Sequence, residues 1–219
     1  MTPFFSLLSM IVFLITLIAC GKDNSGKNEV IKTAPQLEEQ PSEGTYRAIL
    51  RPINNQLSGL LPTGAAEITI SEDIVKVQTL LDDDAQVTHI QKIQKGTRCP
   101  DQSDDLNNDG LIDMDEAYKA SGEALIPLDD DLNEADLGSD IYPAGSGFTY
   151  TKNATLSRLE NDVRRRTGEN LNLGGRVILI HGAARGTKIP STISLREGLF
   201  PQASIPVACG VLVRSGFNR

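Results

Sequence analysis

The chain has few aromatic residues, few histidines and few cysteines. Its 219 residues include no tryptophan, four tyrosines, six phenylalanines, two histidines and three cysteines. A large stacking platform for nucleic acid is therefore excluded, because such a surface needs several aromatic side chains. Basic residues are outnumbered 21 to 29 by acidic ones, and the net charge of −8 argues against a polyanion ligand. An apolar fraction of 39% nevertheless excludes a wholly disordered chain.

The acidic residues are concentrated in the middle of the chain. Residues 82–140 contain 17 acidic and 4 basic residues, whereas residues 141–219 contain 4 acidic and 11 basic ones. An acidic centre interspersed with glycine and asparagine indicates a hard cation as ligand. The runs Asp82–Asp84 and Asp129–Asp131 are typical of solvated loops, with a second, weaker cation site as the alternative. Gly182–Gly186 lacks both the dinucleotide-binding spacing and a P-loop lysine, so no nucleotide is predicted.

The first twenty residues have the features of a targeting signal. An almost unbroken apolar run covers Phe4–Ala19, and no residue before Lys22 is charged. A run this short favours a signal peptide, with an uncleaved single-pass anchor as the alternative. The run ends in Leu17-Ile18-Ala19-Cys20-Gly21, which resembles the lipobox of bacterial lipoproteins.

The lipoprotein resemblance implies a signal peptide over residues 1–19 and a membrane anchor on lipidated Cys20. Residues 20–43 are polar and have no apolar periodicity, so they are predicted to form a flexible tether. Gly21, rather than aspartate, follows the cysteine. By resemblance to enteric sorting, this favours the outer membrane, with the protein facing the periplasm or the cell surface.

Two cysteines remain once Cys20 carries the lipid. Cys99 and Cys209 form an even pair in an oxidising compartment, which predicts a disulfide. Two free buried thiols are the alternative. The bridge would close a loop of about 110 residues, worth up to roughly 4–5 kcal/mol in the chain-entropy model.

Hydrophobic patterning predicts an all-β domain over residues 44–219. The predicted strands are Tyr46–Leu50, Ala66–Ile70, Ile74–Leu80, Thr88–Ile93, Phe148–Tyr150, Arg176–Ile180 and Val207–Val213. Short strands separated by turn residues favour a sandwich or barrel. Leu156, Leu159 and Val163 have helical spacing, which predicts a short surface helix over residues 155–166.

The strongest motif lies at residues 105–116 and fits the EF-hand loop template. Gly110 permits the sharp turn at position 6, and Ile112 fills the apolar position 8. Five side chains and one backbone carbonyl are the predicted calcium ligands: Asp105, Asn107, Asp109, Asp113 and Glu116, with the carbonyl of Leu111.

The surroundings of this loop differ from those of a calcium sensor. No entering helix precedes it and no second loop is present to pair with it, although residues 116–121 fit an exiting helix. The loop resembles isolated EF-type loops of extracellular proteins, for which a Kd of about 10⁻⁴–10⁻³ M is typical. A structural ion is therefore favoured over a signalling ion, and an acidic surface turn without metal is the alternative.

Three segments taken together resemble the chordin-type (CHRD) domain and, more distantly, the copper–zinc superoxide dismutases. They are Thr88-His89-Ile90-Gln91 followed by Cys99-Pro100, then Gly175–Gly182, and then Pro206–Val213. The resemblance covers about residues 44–214, with residues 100–140 as an insertion. It implies a Greek-key, immunoglobulin-like β-sandwich. It also implies a bridge between Cys99 and Cys209, because the dismutases pair cysteines at these two places.

The dismutase copper site is only partly matched. His89 matches the first histidine of the His-x-His pair and His181 matches the last copper histidine, but Gln91 replaces the second. The bridging histidine has no counterpart, and Pro206 stands where the dismutases have the arginine that attracts superoxide. Two imidazoles and an amide make a poor copper site unless acids complete it. We therefore expect His89 and His181 to be remnants of the fold, and the protein not to be an enzyme.

The sequence predicts a membrane-anchored, non-catalytic, calcium-binding lipoprotein with a structural or interaction role in the cell envelope. The expected partners are the membrane and an unidentified protein or envelope surface. Neither nucleic acid nor nucleotide is expected as a ligand. The calcium loop would order the stretch that holds zinc in the dismutases. The alternative is a degenerate dismutase-like metalloprotein that binds copper through His89 and His181.

Overall fold

The computed structural model describes residues 43–58, 61–133, 141–194 and 200–215. The signal peptide, Cys20 and residues 20–42 of the tether lie outside these residues. Within the described ranges, no helix is long and apolar enough to span a membrane.

β-Strands make up most of the regular structure in the described residues. They are β1 (Gly44–Pro52), β2 (Thr63–Ser71), β3 (Ile74–Thr88), β4 (Gln91–Gln94), β5 (Ala124–Pro127), β6 (Ala144–Thr155), β7 (Val177–His181), β8 (Pro206–Val211) and β9 (Val213–Ser215). The helices are α1 (Asn55–Ser58), α2 (Met114–Ser121) and α3 (Leu156–Thr167), with 3₁₀ turns at Gln102–Asp104 and Pro201–Ser204. The prediction of an all-β class is confirmed.

The strands form one curled antiparallel sheet in the order β5-β4-β7-β8-β1-β2-β3-β6. Strand β1 is the link between its two halves. Residues Gly44–Leu50 of β1 pair with β2, whereas Arg51 and Pro52 pair with β8. Strand β9 also pairs with β1, so the last described strand lies beside the first.

One core collects apolar side chains from both halves of the sheet. In β1, buried Tyr46, Ala48 and Leu50 alternate with exposed residues, as expected for a strand with one solvated face. Ile68 from β2 and Ile178 from β7 belong to the same buried cluster. Each fully buried side chain of this size contributes about 1.5–3 kcal/mol, so this cluster is the main stabilising feature of the fold.

Two predicted strands are wrong as single elements. Thr88–Ile93 is divided, because β3 ends at Thr88 and β4 begins at Gln91 in the other half of the sheet. Val207–Val213 is divided at Leu212, because β8 pairs with β7 whereas β9 pairs only with β1. Strand β5 and helix α1 were not predicted. Both have only four residues, too few to show a hydrophobic period.

Helix α3 confirms the prediction for residues 155–166. Leu159 and Val163 are buried on one face of the helix. The turn between β2 and β3 supports its first turn, since the backbone N–H of Ser157 donates to Asp73 Oδ1 at 2.9 Å. Gly168 ends it with φ of 72°, a left-handed conformation that glycine adopts without steric cost.

The predicted disulfide between Cys99 and Cys209 is present, and it excludes two free thiols. The two Cα atoms lie 5.8 Å apart and 110 residues separate them in sequence. The bridge connects the segment before the acidic loop to β8 in the centre of the sheet.

Candidate calcium site

The predicted loop at residues 105–116 lies between a 3₁₀ turn and helix α2. Asp101 caps the turn, because its Oδ1 accepts the backbone N–H of Ser103 at 2.9 Å. Arg98 pairs with Asp104 at 2.6 Å, and its hydrogen bond lowers the pKa of the Asp104 carboxyl. The loop therefore begins from an anchored segment next to the disulfide at Cys99.

Helix α2 confirms the exiting helix but begins at Met114 rather than at residue 116. The reason is a capping box formed by two of the predicted calcium ligands. The N–H of Glu116 donates to Asp113 Oδ1 at 2.9 Å, and the N–H of Asp113 donates to Glu116 Oε2 at 3.0 Å. This reciprocal pairing satisfies two backbone donors at the start of the helix.

In the first half of the loop, side-chain oxygens accept hydrogen bonds from backbone N–H groups of the same loop. Asp105 accepts backbone N–H bonds from Asp109 at 3.1 Å and from Gly110 at 2.8 Å. Asn107 Oδ1 accepts from Asp109, and Asp109 Oδ1 accepts from Leu111, each at 2.9 Å. Gly110 has φ of 87°, so the predicted sharp turn is present.

Glu116 closes the loop from its far end. Its Oε1 accepts the backbone N–H of Leu106 at 2.8 Å and that of Asn107 at 3.3 Å. The carboxylates of positions 1, 9 and 12 are all shielded from solvent, because Asp105, Asp113 and Glu116 are only 9%, 3% and 5% exposed. These hydrogen bonds hold the two ends of the motif next to each other, as the EF-hand template predicts.

These three buried acids have no basic partner in the part of the chain that the structure describes. Among the described residues, the ion pairs of lysine and arginine involve other carboxylates. Burying a carboxylate without a counter-charge is costly, and backbone N–H groups offset only part of that cost. A bound cation would supply the missing charge.

The structure does not show an assembled metal centre. Within the described part of the chain, no group of three or more His, Cys, Asp or Glu side chains is placed to hold one metal ion. The loop oxygens are instead directed at backbone N–H groups. The donor set consists only of carboxylate, amide and carbonyl oxygens, which suits calcium and not copper or zinc. Calcium binding stays a prediction.

Residues far away in sequence hold the loop in place. Asn54 accepts the N–H of Ile112 and donates to its carbonyl, both at 2.8 Å. Ser194 donates its N–H to Asp113 Oδ2 at 2.9 Å, and the hydroxyl of Thr192 donates to Asp109 Oδ2. Sequence reasoning missed these residues. The positive φ of Asn54 at 56° fits an asparagine in a turn, but no local signal connects it to Ile112.

Ile112 occupies the predicted apolar position and is buried. It belongs to a second apolar cluster that includes Val177, Leu179 and Cys209. Through Ile112, the loop therefore packs against the β7–β8 pair and the disulfide. A change in the conformation of the loop would therefore disturb the packing of the β7–β8 pair.

The two histidines are fully buried, one at the end of β7 and one between β3 and β4. His89 Nε2 lies 3.2 Å from the carbonyl oxygen of Gly145, and its ring lies 5.3 Å from that of Phe148. Because a carbonyl only accepts, Nε2 is the donor in this contact. No hydrogen-bond partner for Nδ1 is present among the described residues.

The second histidine and the residues around it do not complete a metal site. His181 Nδ1 lies 3.3 Å from the carbonyl oxygen of Ile90. Gln91 donates its amide N–H to the carbonyl of Leu128 at 2.9 Å. Pro206, at the place of the dismutase arginine, is opposite His181 in the sheet. No third ligand of the His, Cys, Asp or Glu type joins the histidines in the described chain, so copper does not fit these residues.

The acidic run Asp129–Asp131 contains a buried carboxyl, which corrects the expectation of a solvated loop for Asp129. Its Oδ1 accepts the N–H of Asp131 at 3.0 Å, and its carbonyl accepts the hydroxyl of Tyr150 at 2.7 Å. Asp129 Oδ2 has no hydrogen-bond partner in the described residues. Burial, helped by the charges of Asp130 and Asp131, raises the pKa of Asp129 to about 6.

The fold and the loop together define a β-rich protein with an acidic, calcium-type loop packed beside a disulfide. Comparison of the chain with protein-family models and with curated proteins gives no match. The resemblance to the CHRD domain stays a prediction from the three sequence segments around His89, His181 and Cys209.

Proposed function

We propose that this protein is a lipid-anchored, non-catalytic β-sandwich of the CHRD type, stabilised by calcium in the cell envelope. The observation that carries the proposal is the burial of Asp105, Asp113 and Glu116 without a basic partner among the described residues. All three stand at ligand positions of the EF-hand template.

A structural role for the ion follows from where the loop packs. Leu111 belongs to the main core and Ile112 to the second cluster, so the loop is part of the protein interior. Calcium would neutralise the buried carboxylates and fix the loop between the disulfide and α2. A single loop without a paired partner favours weak affinity and constant occupancy in a calcium-rich compartment.

The proposal of a sandwich is supported by the core, to which both halves of the curled sheet contribute side chains. Side chains of Ile68, Val75 and Val77 in β2 and β3 line one small internal space together with Ile93 and Ile126 from β4 and β5. This shared lining supports an arrangement in which the two halves of the sheet pack face to face. The chain passes between the halves after β3, β5, β6 and β8, and this repeated crossing supports Greek-key connections.

Two observations support the envelope location. The lipobox-like segment ending at Cys20 would supply the anchor, and a stable disulfide is typical of oxidising compartments. The role would then be structural or interaction-based: a domain held at a membrane surface for an unidentified protein or envelope partner.

The test is the metal content of the full chain, extracted from an oxidising compartment. Equilibrium dialysis against calcium should give about one ion per chain, consistent with a single loop. The double variant Asp105→Asn with Glu116→Gln should lose this ion. Asp84→Asn, an exposed acid outside the loop, should retain it.

Elemental analysis of the same preparations measures copper. One copper per chain that disappears in His89→Ala would overturn the proposal in favour of a dismutase-like metalloprotein. Absence of calcium binding in the unaltered chain would overturn it as well. Radiolabelled palmitate incorporation, expected in the unaltered chain and lost in Cys20→Ser, tests the anchor separately.

A further inference from the structure

A groove of about 790 Å³ lies on the outer face of β1, apart from the calcium loop and both histidines. The residues that line it include Arg47, Ile49 and Arg51 from β1, Val211 from β8, and Val213 and Arg214 from β9. The Cys99–Cys209 bridge contributes to its floor. Its volume falls within the range of about 300–1,000 Å³ typical of small-molecule sites.

The floor of the groove is apolar although it faces solvent. Alternate residues of a strand point to the same side, which places Arg47, Ile49 and Arg51 together on the outer face. Ile49 is 73% exposed and Val213 is 58% exposed. Both side chains line the groove, so an apolar ligand lying in it would cover them.

The rim of the groove is cationic. The side chain of Arg51 has no hydrogen bond or ion pair with the described residues. Arg47 pairs with Glu67 at 2.7 Å, whereas Arg214 donates to the backbone carbonyl of Glu43 at 2.7 Å. No aspartate or glutamate among the described residues lines the groove. The groove is therefore positively charged, although the whole chain has a net charge of −8.

From this charge complementarity and the apolar floor, we infer that the groove binds a long-chain fatty acid. The guanidinium of Arg51 would hold the carboxylate, for which its planar pair of donors is well suited. The alkyl chain would cover Ile49 and Val213. This activity needs neither calcium nor the lipid on Cys20, so it goes beyond the proposed function.

The inference is tested by photolabelling the full chain in nanodiscs of zwitterionic phosphatidylcholine. The probe is a diazirine analogue of palmitate, added in trace amounts above the pKa of its carboxyl group. Labelled peptides are mapped by mass spectrometry, and labels are expected within residues 47–53 and 209–215. Loss of one charge-assisted hydrogen bond in Arg51→Gln should lower labelling about 10- to 100-fold.

Three controls separate this site from general partitioning into the bilayer. Ile49→Glu places a negative charge on the floor and should abolish labelling of the groove without affecting the core, because the side chain is exposed. Arg164→Gln, an exposed arginine of α3, should label like the unaltered chain. The matching diazirine fatty alcohol should label the groove much less than the acid.

Equal labelling by acid and alcohol would overturn the inference, and so would labelling that Arg51→Gln leaves unchanged. Labels confined to other segments would also overturn it. Competition by an acidic peptide but not by unlabelled palmitate would identify a protein ligand instead.

Discussion

The carboxylate of Asp113 accepts a hydrogen bond from the backbone N–H of Ser194, with 2.9 Å between oxygen and nitrogen. The two residues are 81 positions apart in sequence. The other oxygen of Asp113 caps helix α2 by accepting from Glu116. One side chain therefore joins the candidate calcium loop, the helix that follows it and a distant segment of the chain.

We expect Asp113→Ala to destabilise the protein by about 1–3 kcal/mol, because it removes a helix cap and leaves buried backbone donors unpaired. Asp113→Asn should cost less, since the amide oxygen can still accept from Glu116. Urea unfolding of both variants in the presence of chelator measures the difference. Equal stability of the alanine and asparagine variants would contradict this role of the cap.

Calcium should raise the thermal stability of the protein. For a Kd of about 10⁻⁴–10⁻³ M, calcium at about 10 mM adds about 1.4–2.7 kcal/mol to the free energy of unfolding. For a chain of this size, the melting temperature should then rise by about 3–10 °C relative to chelator. Glu116→Gln should reduce the shift, and Asp84→Asn should not. An unchanged melting temperature in the unaltered chain would exclude calcium as the ordering ion.

The buried carboxyl of Asp129 should make stability depend on pH. Its pKa is raised from 3.8 to about 6 in the folded state, mainly by burial. The folded protein therefore holds this proton more tightly than the unfolded chain. The contribution of this group to stability is complete below pH 3.8, falls as the pH rises toward 6, and stays low above it.

Asp129→Asn should remove this dependence and stabilise the protein at neutral pH by up to about 3 kcal/mol. The asparagine oxygen can still accept from the N–H of Asp131. The free energy of unfolding is measured from acidic to neutral pH with chelator present. Asp84→Asn serves as control, and identical pH profiles for Asp129→Asn and the unaltered chain would show that Asp129 does not titrate in this range.

Reduction of the Cys99–Cys209 bridge should lower the free energy of unfolding by up to about 4–5 kcal/mol, because it frees a loop of 110 residues in the unfolded chain. The paired variant Cys99→Ser with Cys209→Ser should lose a similar amount and become insensitive to reductant. Urea midpoints with and without dithiothreitol measure both. A midpoint unaffected by reductant in the unaltered chain would contradict the prediction.

Local signals in the sequence predicted much of this fold. The alternation in Ala66–Ile70 identified β2, and the spacing of Leu159 and Val163 identified α3. The pairing of two cysteines followed from counting. Each of these inferences depends on neighbouring residues or on the number of cysteines, although counting alone left two free thiols as the alternative.

The remaining features depend on contacts between distant residues. Asn54 and Ser194 hold the calcium loop across 58 and 81 positions, and nothing in their own surroundings indicates this. Asp129 belongs to a run of three acids that fits a solvated loop, yet its packing beside Tyr150 buries it. Strand β5 is short, ends in a proline and lies within the acidic insertion.

The position of β1 has a consequence for the order in which the protein can fold. Thr45, near the start of the described chain, is opposite Ser215, near its end. Arg51 in the same strand is opposite Cys209. The hairpin of β1 and β2 can form early from local contacts. The join between the two halves needs the pairing of Arg51 with Cys209, which are far apart in sequence, so we expect this join to form later.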